Sequence, residues 1–190
     1  MDYSLEEKYN LIVQGINGEI SKNPIQIVKK IMHQPFINLH GPEHHFLDGA
    51  AFLVAYKNTG GEIDLESALE ELKSRTIKMP GAMCGLWGIC GSTTSIGAAL
   101  SIIHSTGPLS GDKFYKDHME YTSGVIQEMS KIGGPRCCKR NAFLSIDSAV
   151  KFVKNNYGIL MEIEDITCEF TGWNLQCIHT KCPFYNSAQK

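Results

Sequence analysis

The sequence predicts a mainly α-helical fold: a multi-helix domain over residues 1–158 and a small cysteine-bearing β-hairpin over 159–190. Three observations predict it. Apolar residues recur at helical spacing through most of the chain. Gly and Pro break the pattern at intervals that suit short helices. Beyond Gly158 the pattern changes to strand-like runs on either side of Thr171-Gly172-Trp173-Asn174. At 190 residues, 43% of them apolar, the chain is long enough to bury one core. The hairpin is too small to fold without metal or neighbours, so it is expected to pack on the helical domain.

Residues 4–14 and 24–33 read as two short helices, the second opened by Asn23-Pro24, a cap and a first helical residue. Gln34 to His45 contains Pro35, Gly41 and Pro42 and reads as a loop. Residues 46–57 make a helix apolar on most faces, which marks it as central. Asp64 begins another, running to about Lys78. The segment 81–91, GAMCGLWGICG, is too glycine-rich for a stable helix interior. A buried helix follows at 92–105, then a long one at 112–131 that ends at Gly133-Gly134-Pro135. Residues 141–157 give an amphipathic helix stopped by Gly158. A hairpin centred between Gly172 and Trp173 sets Cys168 opposite Cys177, with both side chains on one face.

Lys and Arg number 18 against 20 Asp and Glu, so the net charge of −2 gives no nucleic-acid footprint. No run of about 18 apolar residues exists, which excludes a membrane span. The start, MDYSLEEKYN, is acidic and lacks the apolar centre of a signal peptide. Seven cysteines, an odd number without a secretory signal, suggest free thiols in the cytoplasm rather than a disulfide framework.

Those cysteines fall into two sets. Cys84 and Cys90 stand among glycines at 85, 88 and 91, and Cys137-Cys138 come just after Gly133-Gly134-Pro135. Four thiolates suit an iron–sulfur cluster or zinc, and the glycines would offer backbone N–H groups to cluster sulfurs. Arg136 and Lys139 would offset the negative charge of such a cofactor. Adjacent cysteines point in different directions in most backbones, so Cys137 and Cys138 need not both serve one site. Cys168, Cys177 and Cys182 form a second set, its fourth ligand being His179, water, a substrate or a cysteine of the first set. Small residues packed at helix ends, or a cross-strand disulfide, would account for the same spacings. His40, His44 and His45, in HGPEHH, add three imidazoles that can ligate a metal or move protons, or cap the helix that follows.

Other chemistries lack their motifs. There is no phosphate-binding glycine loop ending in Lys-Ser/Thr and no nucleophile elbow. The three-cysteine CxxxCxxC signature of radical S-adenosylmethionine enzymes is also missing.

HGPEHHF (40–46), PGAMCGLWGICG (80–91), GGPRCCKR (133–140) and the CPFY end (182–185) carry a resemblance. The chain resembles an uncharacterised cysteine-rich domain family of anaerobic bacteria and archaea. That domain occurs alone or fused to radical S-adenosylmethionine or methyltransferase-like modules. The resemblance implies a partner of that kind, or a redox partner, and names no substrate. A looser likeness to small helical redox proteins implies cluster-binding or redox-active cysteines at 84, 90, 137 and 138.

The resulting expectation is a metal- or iron–sulfur-cluster-binding protein with a redox or sulfur-transfer role in anaerobic metabolism. Two alternatives stand beside it: a zinc-stabilised binding module for a partner enzyme, and a metal-free thiol oxidoreductase with at least one thiol of depressed pKa.

Overall fold

The computed structural model describes residues 3–186. Eight α-helices form among them: α1 (Leu5–Ile16), α2 (Pro24–Met32), α3 (His44–Asn58), α4 (Leu65–Thr76), α5 (Met83–Leu86), α6 (Gly91–Ile103), α7 (Lys113–Ile132) and α8 (Cys138–Tyr157). Their starts follow from side chains that satisfy the first N–H groups of a helix. Ser4 and Glu7 form a reciprocal capping box on α1. Asn23 accepts from Ile25 and Gln26, Asp64 from Ser67, and Asp112 from Phe114 and Tyr115.

Helix α3 is the axis of the molecule. Every side chain from His44 to Tyr56 is buried, as its all-round apolar sequence requires. Helices α1, α2, α4, α6 and α8 pack against it, and α7 covers α6 and α8 from outside. Tyr9 of α1 stacks on Phe46 of α3 with ring centroids 4.8 Å apart. Helices α3 and α6 approach through Gly49. A Cβ there would come within 2.5 Å of the Ser95 hydroxyl and 3.0 Å of the Ser95 carbonyl oxygen.

The helical periodicity is realised, with three differences at its edges. Helix α3 begins at His44, so His44 and His45 stand on its first turn rather than in a loop. Helix α8 begins at Cys138, because the Cys137 thiol acts as its cap by accepting from Arg140 N–H. Within GAMCGLWGICG one helical turn, α5, forms after all, entered through Ala82 in the left-handed region at φ 62°.

The C-terminal β-hairpin does not form. Among the described residues there is no strand, and 159–186 is an irregular chain with two 3-10 turns, at Thr171–Trp173 and His179–Lys181. The turn that was to reverse a hairpin is taken up by the bonds Trp173 N–H to Phe170 O and Asn174 N–H to Thr171 O. Met161 and Phe170 sink into the helical core instead of alternating on a pleat. Cys168 N–H bonds the Phe184 carbonyl at 2.7 Å, so its backbone partner is not Cys177. Residues 187–190 of the expected extension lie outside the described residues. No helix among the described residues is long and apolar enough to cross a membrane.

Candidate metal–thiolate sites

All seven cysteines are free thiols, and the N-terminus of α8 divides them. Cys137, Cys168, Cys177 and Cys182 line one small cavity, walled by Phe170, Ile178 and Phe184 with Lys139 and Arg140 alongside. Cys84, Cys90 and Cys138 line a second, together with His40, His44 and His45. The vicinal pair is therefore split, with Cys137 facing the C-terminal segment and Cys138 facing α5 and α6.

In the first cavity the backbone presents N–H groups to sulfur. Phe170 N–H donates to Cys168 Sγ at 3.5 Å and His179 N–H to Cys177 Sγ at 3.4 Å. The Phe184 N–H lies toward the Cys182 thiol and holds its pKa down against burial. Each donor lies two residues beyond its cysteine, a geometry that places an N–H beside a thiolate. His179 adopts φ 49°, the left-handed region that non-glycine residues avoid. Cys137 Sγ takes the α8 N-terminal N–H of Arg140 and the Asn174 side-chain amide, each at 3.5 Å. Burial pushes the Cys168 and Cys182 thiols up, and the backbone donors only partly oppose it.

Two cations line this cavity although Lys139 is 1% exposed and Arg140 5%. Arg140 is held by the Gly133 and Pro135 carbonyls and the Asn141 side chain. Lys139 lies over the Phe170 ring at 4.8 Å, donates to the Asn38 carbonyl at 3.2 Å and stands 3.3 Å from His44 Nε2. Burial pulls the Lys139 ammonium down to about 8, with Asp48, Cys138 and Glu43 opposing it.

The second cavity measures about 230 Å³. It shares Cys84, Cys90, Arg136 and Asn141 with a cleft of about 650 Å³ that runs along Ile126 and Met129 of α7. Cys90 caps α6, where its thiol faces the Ser92 and Thr93 N–H groups and accepts from Asn141 Nδ2 at 3.3 Å. Burial nevertheless pushes the Cys90 thiol up, and pushes Cys138 up to about 12 against the Gly41 N–H. Gly91 is required beside them: a Cβ there would lie 2.1–2.7 Å from the His45 ring.

The three histidines have separate roles. His40 accepts the Cys138 N–H on Nδ1 at 3.4 Å, which leaves Nε2–H to donate to Asn174 Oδ1 at 3.2 Å. Asn174 in turn donates to Cys137, so His40 joins the α8 start to the C-terminal segment. His44 is fully buried between Lys139 and Asp48, with Nδ1 3.6 Å from Asp48 Oδ1. His45 is 7% exposed and its Nδ1 has no hydrogen-bond partner among the described residues. Arg136 lines both the second cavity and the cleft.

The sequence reading missed Asn141, Asn174 and Asp48. Asn141 directly follows the CCKR motif, and that adjacency was its available signal. Asn174 was read as a turn residue. Asp48, buried on an otherwise apolar helix, carries two carboxylate oxygens without hydrogen-bond partners among the described residues. Among those residues no three His, Cys, Asp or Glu side chains stand in an arrangement that grips a metal ion.

Fold and cavities together define a helical, cysteine-rich protein with two thiol-lined chambers at one helix N-terminus. The chain belongs to a family of unknown function, DUF5714, whose model matches residues 12–185. No curated protein and no solved structure matches the chain.

Proposed function

We propose that the chain is an iron–sulfur protein whose cluster is ligated by Cys137, Cys168, Cys177 and Cys182. The observation that carries this reading is that those four thiols line one small cavity of about 20 Å³. A cluster needs a dry wall, such as Phe170, Ile178 and Phe184 supply, and N–H donors aimed at sulfur. The buried Lys139 and Arg140 support the same assignment, because a net negative occupant offsets the cost of holding them out of water.

The thiol-oxidoreductase alternative needs a thiol held below its ordinary pKa. Burial drives Cys90, Cys138, Cys168 and Cys182 the other way. A metal that displaces the proton resolves that cost. In this reading the cluster carries single electrons, or takes part in sulfur transfer, within anaerobic metabolism. Its partner is a redox, radical S-adenosylmethionine or methyltransferase-like protein, and free thiols suit the cytoplasm.

Visible absorption with iron, zinc and acid-labile sulfide analysis on anaerobically purified protein tests the reading. Brown protein holding iron and sulfide, lost in Cys168→Ser and Cys182→Ser, is expected. Colourless protein with about one zinc per chain, as a closed tetrahedral site takes, overturns it for the zinc-stabilised module. Protein without metal after anaerobic reconstitution overturns both.

A further inference from the structure

The 230 Å³ cavity has over ten times the free space of the four-thiol cavity, and three thiols line it instead of four. Three thiols reach it from three separate segments: Cys84 on α5, Cys90 at the cap of α6 and Cys138 on the first turn of α8. The N-termini of α6 and α8 both begin at its wall, so two partial positive charges face it. His45, nine-tenths buried on the same wall, has a ring nitrogen without a partner among the described residues. Cys84, Cys90 and Arg136 stand between this cavity and the cleft along α7 and line both.

We infer that this cavity holds a second cluster, ligated only by Cys84, Cys90 and Cys138, whose fourth iron faces the cleft and takes a small anionic ligand. Three thiolates leave one corner of a four-iron cluster without a thiolate ligand. Arg136 forms no ion pair or hydrogen bond among the described residues and supplies a fixed positive charge beside the corner. Ile126 and Met129 give the cleft an apolar side. The ligand class is therefore a small organic anion, its charged end on iron and Arg136 and its body along α7.

This site stands independently of the four-thiol cluster, and one experiment separates them. The full chain is reconstituted anaerobically with iron and sulfide, its iron counted, and the reduced protein examined by electron paramagnetic resonance with and without cyanide as the probe anion. Wild type is expected to hold about eight irons, two four-iron clusters, and cyanide to shift one of two signals. Cys84→Ser and Cys138→Ser are expected to lose about half the iron together with the cyanide-sensitive signal. Cys84 lies on a partly exposed single turn outside the core, so its variant folds even if Cys138→Ser does not. Arg136→Leu is expected to keep the iron and weaken cyanide binding by about tenfold. Full iron in both cysteine variants overturns the inference, as does a second cluster indifferent to cyanide. Iron lost in Cys168→Ser but intact in Cys84→Ser removes this site and leaves the first. The reverse pattern removes the first and leaves this one.

Discussion

From Leu5 to Tyr157 the backbone is held by eight helices packed around α3, whereas from Ile159 to Asn186 it is held by single turns and scattered bonds. Met161 and Phe170 of the second region are buried, and Ile159, Ile166 and Phe184 pack partly buried against the core. Polar contacts add to this attachment. Glu169 pairs with Lys29 at 2.6 Å and His33 at 2.7 Å, and Glu162 N–H bonds the Lys22 carbonyl. Its cysteines turn toward Cys137, the cap of α8. The contrast teaches that the helical body has an apolar core of its own, while the C-terminal segment has less of it and, under the cluster proposed above, would owe part of its order to what its thiols hold.

Removing the proposed cluster should have the largest effect. Chelation, or Cys168→Ser, is expected to release 159–186 at a cost of several kcal/mol. New protease cleavage within the segment, with the far-ultraviolet helix signal retained, would be the sign. A segment that stays protected would mean packing holds it, and the contrast would fail. Phe143→Ala probes the joint, since Phe143 of α8 is fully buried and meets Phe184 edge-on at 5.7 Å. It should cost about 4 kcal/mol, read as a lower denaturation midpoint of the whole chain. If only the segment loosens, the boundary between the regions lies inside α8.

Gly91→Ala is a smaller test, confined to the body. The added methyl collides with the His45 ring, and a loss of about 2 kcal/mol is expected. Iron bound through Cys90 and Cys138 should fall while the four-thiol site keeps its own. Glu169→Gln is the smallest, about 0.5 kcal/mol, because the carboxylate is partly exposed and screened. The Lys29 hydrogen bond, aided by His33, holds the Glu169 carboxyl below its usual range. The folded state thus has the lower pKa, so this contribution is complete above the unfolded value of about 4.3 and fades as pH falls through the folded one. Proteolysis of the segment in wild type should quicken over that acid range, and Glu169→Gln should flatten the dependence.

The helical body was legible because its signals are local. Asn23, Asp64 and Asp112 cap helices where side-chain oxygens precede periodic apolar runs. The C-terminal segment was misread because strand-like composition around Thr171-Gly172-Trp173 is also compatible with a 3-10 turn, and contacts with α2 and α8 decide between them. The cysteine partition was legible in part. That adjacent cysteines diverge follows from backbone geometry, and a first-set cysteine stood among the candidates to complete the second set. Which of the two joined it depends on α8 starting at Cys138, and that start rests on a thiol serving as a cap, for which Ser, Thr, Asp and Asn are the usual signals.

The split at Cys137-Cys138 has a consequence for how the chambers communicate. Sulfur on one side and sulfur on the other are joined by a single peptide unit, so under the two clusters proposed above charge at one chamber would have a covalent route to the next that avoids solvent. The register of α8 also sets which thiol faces which chamber. One residue inserted between the two cysteines would keep all seven thiols in the chain yet turn the helix by about 100°, leaving one chamber with its sulfur and the other without.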